Sequence, residues 1–146
     1  MGYTHYWEIK QPNRISSYSL AVIRQEVMAA YRSGLVQKEC NDPTAPVITD
    51  SLIRFNGVGE AGHETFYFDM NDAYRTEAGK HFAFCKTARK PYDQIVMRVL
   101  IALQWDLKDG LQVTSDGGFD DEWKAERAYM AKHYDMQTYA GGALTA

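Results

Sequence analysis

Hydrophobic and polar positions alternate from the first residues of the chain. In "GYTHYWEI", Tyr3, His5 and Trp7 fall on one side and Thr4, Tyr6 and Glu8 on the other. A period of two in β-favouring residue types predicts a strand. "QPNRISS" interrupts the alternation and supplies cap candidates for a helix. From Tyr18 to Tyr31 the period becomes helical: Tyr18, Val22, Val27, Ala30 and Tyr31 form an apolar stripe, with Arg24, Glu26 and Arg32 left to water. Gly34 terminates this helix, and "KECNDPTAP" is a loop rich in turn residues.

Further along, "VITDSLIRFNG" and "HETFYFDM" predict a hairpin joined by the glycine-rich "NGVGEAG". After the loop "NDAYRTEAG", the segment "KHFAFCK" reads as another strand. It has Phe82, Phe84 and Lys86 on one face and His81, Ala83 and Cys85 on the other. The two phenylalanines are expected in the core. Nearly continuous apolarity from Ile95 to Leu103 predicts a helix buried over most of its surface, with Pro91 in its first turn and Asp109-Gly110 after its end. "LQVTSDGGFDD" follows as a short strand and tight turn. Asp120 or Asp121 is then the expected cap of a last helix, "EWKAERAYMAKHY". Residues 139–146 are expected to be a flexible tail. Consecutive strands favour an antiparallel sheet packed by about three helices, so the expected fold is a single α+β domain over residues 1–146.

Composition narrows the functional classes. A formal net charge of −3 argues against a general nucleic-acid binder, while leaving room for a local basic site. Cys40 and Cys85 cannot make a disulfide framework and lack metal-type spacing. No leader precedes "MGYTHYW", and no run approaches the ~18 apolar residues of a membrane span. The expectation is a cytoplasmic protein with reduced thiols and no membrane partner. Aromatic residues make up 13% of the chain and ten of them are Tyr, a type suited to pocket walls as well as cores.

The densest candidate chemistry lies where the "KHFAFCK" strand runs into the following helix. Lys86, Thr87, Arg89 and Lys90 sit beside a helix N-terminus, whose free N–H groups and partial positive charge favour an anion. Arg grips two phosphate oxygens, Lys adds a point charge and Thr a hydroxyl donor. Tyr92, Tyr3 and Trp7 are candidate stacking surfaces for a base, with His5, Asn56, His63 and Asp116 as polar contacts. No glycine-rich nucleotide loop and no metal pattern occurs, so neither a metal nor a cofactor is expected. Cys85 alternates with Ala83 in an apolar strand and reads as an inert buried thiol.

The blocks "MGYTHYW", "RFNG", "HETF", "FCKTARKPYD" and "SDGG" resemble those of a group of small uncharacterised proteins from phages and bacterial genomes. The resemblance implies a phage-type accessory protein in the cytoplasm of a bacterial host, and it transfers no functional residues. Three readings stand. The first is a binder of a nucleotide-like, phosphate-containing ligand, sequestering a host defence signal without turnover. The second is a hydrolase or transferase on a phosphorylated or nucleotide substrate, with His5 or His63 as acid/base and Lys86 or Arg89 stabilising charge. The third is a homo-oligomeric interaction module with the last helix at its interface.

Overall fold

The structure, a computed structural model, describes residues 2–137; the expected tail at 139–146 lies outside the described residues. In chain order the elements are β1 (Thr4–Ile9), α1 (Ser17–Arg32), β2 (Val36–Gln37), β3 (Val47–Ile48), β4 (Leu52–Gly57), β5 (Phe66–Asp69), α2 (Met70–Tyr74), β6 (His81–Lys86), α3 (Asp93–Leu107), β7 (Leu111–Ser115) and α4 (Lys124–Tyr134). Helices on antiparallel sheets make this an α+β fold, as expected. No described helix is long and apolar enough to cross a membrane.

The first strand lies at the centre of a three-stranded sheet of order β6-β1-β7, antiparallel to both neighbours. A second sheet is built on β4, with β5 along one edge and the two-residue strands β2 and β3 on the other. The sheets approach where the Glu64 N–H donates to the Lys86 carbonyl at 3.2 Å, which brings the start of β5 to the end of β6.

Burial follows the alternation in β1. Tyr3, His5, Trp7 and Ile9 are all sealed, together with Cys85 of β6 and Leu111 and Val113 of β7. Helix α3 lies in this core: Ile95, Val96, Val99, Leu100, Ile101, Ala102 and Leu103 are buried, as its unbroken apolar run requires. Helix α1 packs against α3 through Val22, Ile23, Val27 and Ala30.

Several expectations are corrected. The buried stripe of α1 is Ser19, Val22, Ile23, Glu26, Val27 and Ala30, so Glu26 is inside and Tyr18 is exposed. The stripe at three- and four-residue spacing runs through position 26, and Tyr18 falls one residue off it. The loop "NDAYRTEAG" begins within a short helix, α2, capped by Asp69, whose side chain accepts from the Asn71 N–H. Neither Asp120 nor Asp121 caps α4; the cap residue is Trp123, and Asp120 instead pairs with Arg127 at 2.9 Å. The expected hairpin strand "VITDSLIRFNG" is two strands, β3 and β4, folded back on each other at Thr49–Ser51.

Candidate functional site

At the junction of β6 and α3, the expected anion site is occupied by the protein's own carboxylates. Thr87 is fully buried, and its hydroxyl donates to Asp93 Oδ1 at 2.6 Å. Asp93 itself supplies the negative charge in the first turn of α3. Arg89 lies over the Tyr3 ring, 4.0 Å from its centroid, and pairs with Glu122 at 3.2 Å. Glu122 also accepts from the Gly118 N–H, and these contacts hold its carboxyl below the usual range. Ala88 and Arg89 both adopt positive φ to make the turn. Tyr92 is sealed and donates its hydroxyl to the Glu64 carbonyl at 2.5 Å, so it joins β6 and α3 to the segment before β5 and offers no face to solvent. Of this group, Arg89 is exposed, and Lys86 and Lys90 are partly exposed.

His5 is fully buried with both ring nitrogens engaged: Nε2 with Asp93 Oδ1 at 2.6 Å and Nδ1 with Ser115 Oγ at 2.7 Å. Serine, histidine and aspartate in line are the components of nucleophilic catalysis. Here, however, Tyr3 and Trp123 pack edge-on against the ring, 5.1 and 5.0 Å away by centroid. The Gly117 N–H, an amide beside the serine, donates to Ser115 Oγ at 2.9 Å. The line joins β1, β7 and α3 and works as an internal brace. Burial pushes the Tyr3 hydroxyl up to about 12, with Asp93 and Glu122 adding to the shift. Cys85 is sealed as expected, and burial raises its thiol to about 12.

Asn56 is buried and satisfied at both ends of its amide. Its Nδ2 donates to the His63 carbonyl and to Thr65 Oγ1, both at 3.0 Å, and its Oδ1 accepts from the N–H groups of Gly57 and His63. It holds the β4–β5 loop, where a Cβ on Gly57 would sit 2.5 Å from the Ala61 carbonyl oxygen. The His63 side chain is exposed at the end of that loop, and the next residue, Glu64, reaches the end of β6: its carboxylate accepts from the Lys86 N–H at 2.7 Å.

The outer face of the β6-β1-β7 sheet is the feature sequence reasoning assigned to the core. Phe82 is 60% exposed and Phe84 55% exposed. Phe84 stands opposite Tyr6 on β1, and Tyr6 stands opposite Thr114 on β7; in the next row are Phe82, Glu8 and Gln112. The Tyr6 and Phe82 rings are stacked at 6.3 Å and 24°. Glu8, Phe82, Gln112 and Thr114 border a shallow hollow of about 250 Å³, which Trp7 also lines although it is sealed from solvent. Asp116 belongs to this face: its carboxylate accepts from the Thr4 N–H at 3.0 Å and from the Tyr6 hydroxyl at 3.3 Å, which orients the ring. In the second sheet Tyr67 of β5 is 45% exposed, between the sealed Phe66 and Phe68, whose rings touch Trp7.

A signal for this face was present. Phe82 and Phe84 are in phase with Lys86 and with Lys80 just ahead of the strand, whereas Cys85 and Ala83 are in phase with each other. Lysines bracketing the phenylalanines mark the wet side.

On the helical side, a cleft of about 360 Å³ lies between α1, α3 and α4. Arg98 reaches Glu26 at 2.9 Å and Glu126 at 2.8 Å and stacks on Tyr129, 3.8 Å from the ring centroid. Tyr129 and Tyr134 both donate hydroxyls to Glu26. Burial opposes the charge on Arg98, but the bonds to Glu126 and Glu26 outweigh it and raise its basicity. With two carboxylates on one guanidinium, this cluster has no positive charge to spare for an anion, and it ties the three helices together.

Among the described residues no cluster of His, Cys, Asp and Glu is arranged to hold a metal ion. No protein-family model, curated protein or solved structure matches the chain.

Proposed function

We propose that this protein binds a phosphate-bearing ligand containing a nucleobase, with the base laid on the outer aromatic face and the phosphate held by lysine at its end, and that it does so without turnover. The observation that carries this is the exposure of Phe82 and Phe84 beside Tyr6 in one continuous patch. Leaving a large apolar side chain in water forfeits about 1.5–3 kcal/mol relative to burying it. Stacking against a base returns about 1–3 kcal/mol per base. Polar groups sit within the same patch: Glu8 accepts, and Gln112 and Thr114 both donate and accept. That mixture suits the edge of a heterocycle better than a purely apolar ligand. The sealed His5, with both nitrogens engaged by the protein, supports binding over acid–base chemistry.

Calorimetry against a panel of nucleoside phosphates, cyclic nucleotides and ADP-ribose derivatives is the direct test. Binding of a panel member, weakened at least tenfold in the double variant Phe82→Ala/Phe84→Ala and with ligand recovered unchanged, is the expected result. Folded protein that binds none of the panel overturns it. So does a dimer that the same double variant converts to monomer, because the face would then be a contact between copies.

A further inference from the structure

Resting on that reading, we infer that the ligand of the outer face is a single-stranded nucleic acid, read across at least two unstacked bases, rather than a free mononucleotide. Four observations converge.

The first is spacing. Phe82 and Phe84 are two residues apart on one strand, so their rings emerge about 6.6 Å apart at ~3.3 Å per residue. That is roughly twice the 3.4 Å rise of stacked bases in a duplex strand. Two such rings suit successive bases of an extended chain better than the two sides of one base.

The second is where the charges lie. Lys80 immediately precedes β6 and is exposed, and Lys86 ends it. Six residues of strand separate them by about 20 Å, more than the phosphate group of one nucleotide spans. Between them lies Glu8, a carboxylate opposite Phe82; at the Lys86 end Asp116 accepts from the Thr4 N–H and the Tyr6 hydroxyl, and Glu64 accepts from the Lys86 N–H. Those two carboxylates are engaged by the protein, so the lysines and the Glu8 acceptor complement a chain with phosphates at its flanks and base amino groups over its centre.

The third is the arrangement of aromatics. Sheets that bind single-stranded RNA stack bases on aromatics from two adjacent antiparallel strands. Here these are Phe82 and Phe84 on β6 and Tyr6 on β1.

The fourth is local sequence. Lys80, Phe82, Ala83 and Phe84 fit the order K/R-x-F/Y-G/A-F of the base-stacking strand in such sheets. His81, Cys85 and Thr87 depart from it: Cys85 and Thr87 are sealed in the core, and the His81 side chain lies 3.6 Å from Asp72. None of the three belongs to the exposed row. The net charge of −3 describes the whole chain, whereas the contacts are set by this row alone.

The test is fluorescence anisotropy of labelled single-stranded hexamers, RNA and DNA, beside a hexamer duplex and labelled mononucleotides. The expected result is a hexamer that binds at least tenfold more tightly than any mononucleotide and more tightly than the duplex, and the tighter of RNA and DNA names the sugar. Two phosphate contacts predict a log–log salt slope of about −1.4, and Lys86→Gln should reduce its magnitude by about 0.7. Phe84→Ala should cost about tenfold. Phe82→Leu, which keeps the apolar bulk and removes the ring, should also weaken binding, and full affinity in that variant overturns stacking. Equal affinity for hexamer and mononucleotide overturns the inference and leaves the nucleotide reading standing. Equal affinity for duplex and single strand overturns the inference as well. Binding of neither hexamer nor mononucleotide overturns both.

Discussion

The two faces of the β6-β1-β7 sheet use the same chemistry to opposite ends. On the inner face Tyr3, Trp7 and Cys85 are sealed beneath α3, and the polar groups among them, His5, Asp93, Thr87 and Ser115, bond to one another. On the outer face Phe82 and Phe84 are exposed and Tyr6 partly exposed, with no element over them among the described residues, and the polar neighbours Glu8, Gln112 and Thr114 remain partly exposed. Aromatic content therefore says little about function. What matters is which phase of the alternation the helices cover: on the covered side the polar groups mostly pair internally, although the Tyr3 hydroxyl and the Trp7 indole N–H find no partner among the described residues, and on the uncovered side they stay open to solvent.

That contrast can be broken from either side. The largest effect is expected from the inner face: Trp7→Ala leaves a cavity under α3 and should cost about 3–5 kcal/mol in urea unfolding. A loss below 1 kcal/mol would mean that the face is not sealed.

A smaller effect comes from pH. Cys85 is held at about 12 in the fold against 9.0 for the free group, and Tyr3 at about 12 against 10.0. Both folded values are raised, so the stabilisation is complete below about pH 9. Above it the unfolded chain loses protons that the folded chain keeps, and stability falls as pH rises toward 12. Cys85 alone sets a limiting slope of about 1.4 kcal/mol per pH unit in that window. Urea midpoints at pH 8 and 10.5 should show the fall, and Cys85→Ala should flatten it.

The smallest effect belongs to the outer face. Phe84→Ser should change stability by no more than about 0.5 kcal/mol, measured in the same urea titration. A loss comparable to that of Trp7→Ala would place Phe84 in the core after all.

Particular residues show how far the sequence was legible. The alternation of β1 was legible as two sides, but not which side is buried: Tyr3, His5 and Trp7, expected to meet a ligand, are the sealed side. In β6 the phase was visible but misassigned: phenylalanine was given to the core on residue type, against the lysines in step with it. Glu26 was given to water on type in the same way, although the helical stripe passes through it. The basic junction failed for another reason. Arg89 and Thr87 were where the sequence put them, and the helix starts at Asp93, with Pro91 ahead of its cap residue Tyr92 rather than in its first turn; but Glu122 lies 33 residues from Arg89, and nothing local announces that it arrives there.

By itself, then, the sequence determined the three long helices and the main strands, the α+β class and the burial of Cys85. Those follow from periodicity and from short-range turn chemistry, which are properties of neighbouring residues. The tertiary structure decided which carboxylates neutralise which cations, that His5 is enclosed, and that two phenylalanines are left uncovered. Each of those depends on an element distant in the chain arriving, or failing to arrive, on a given face.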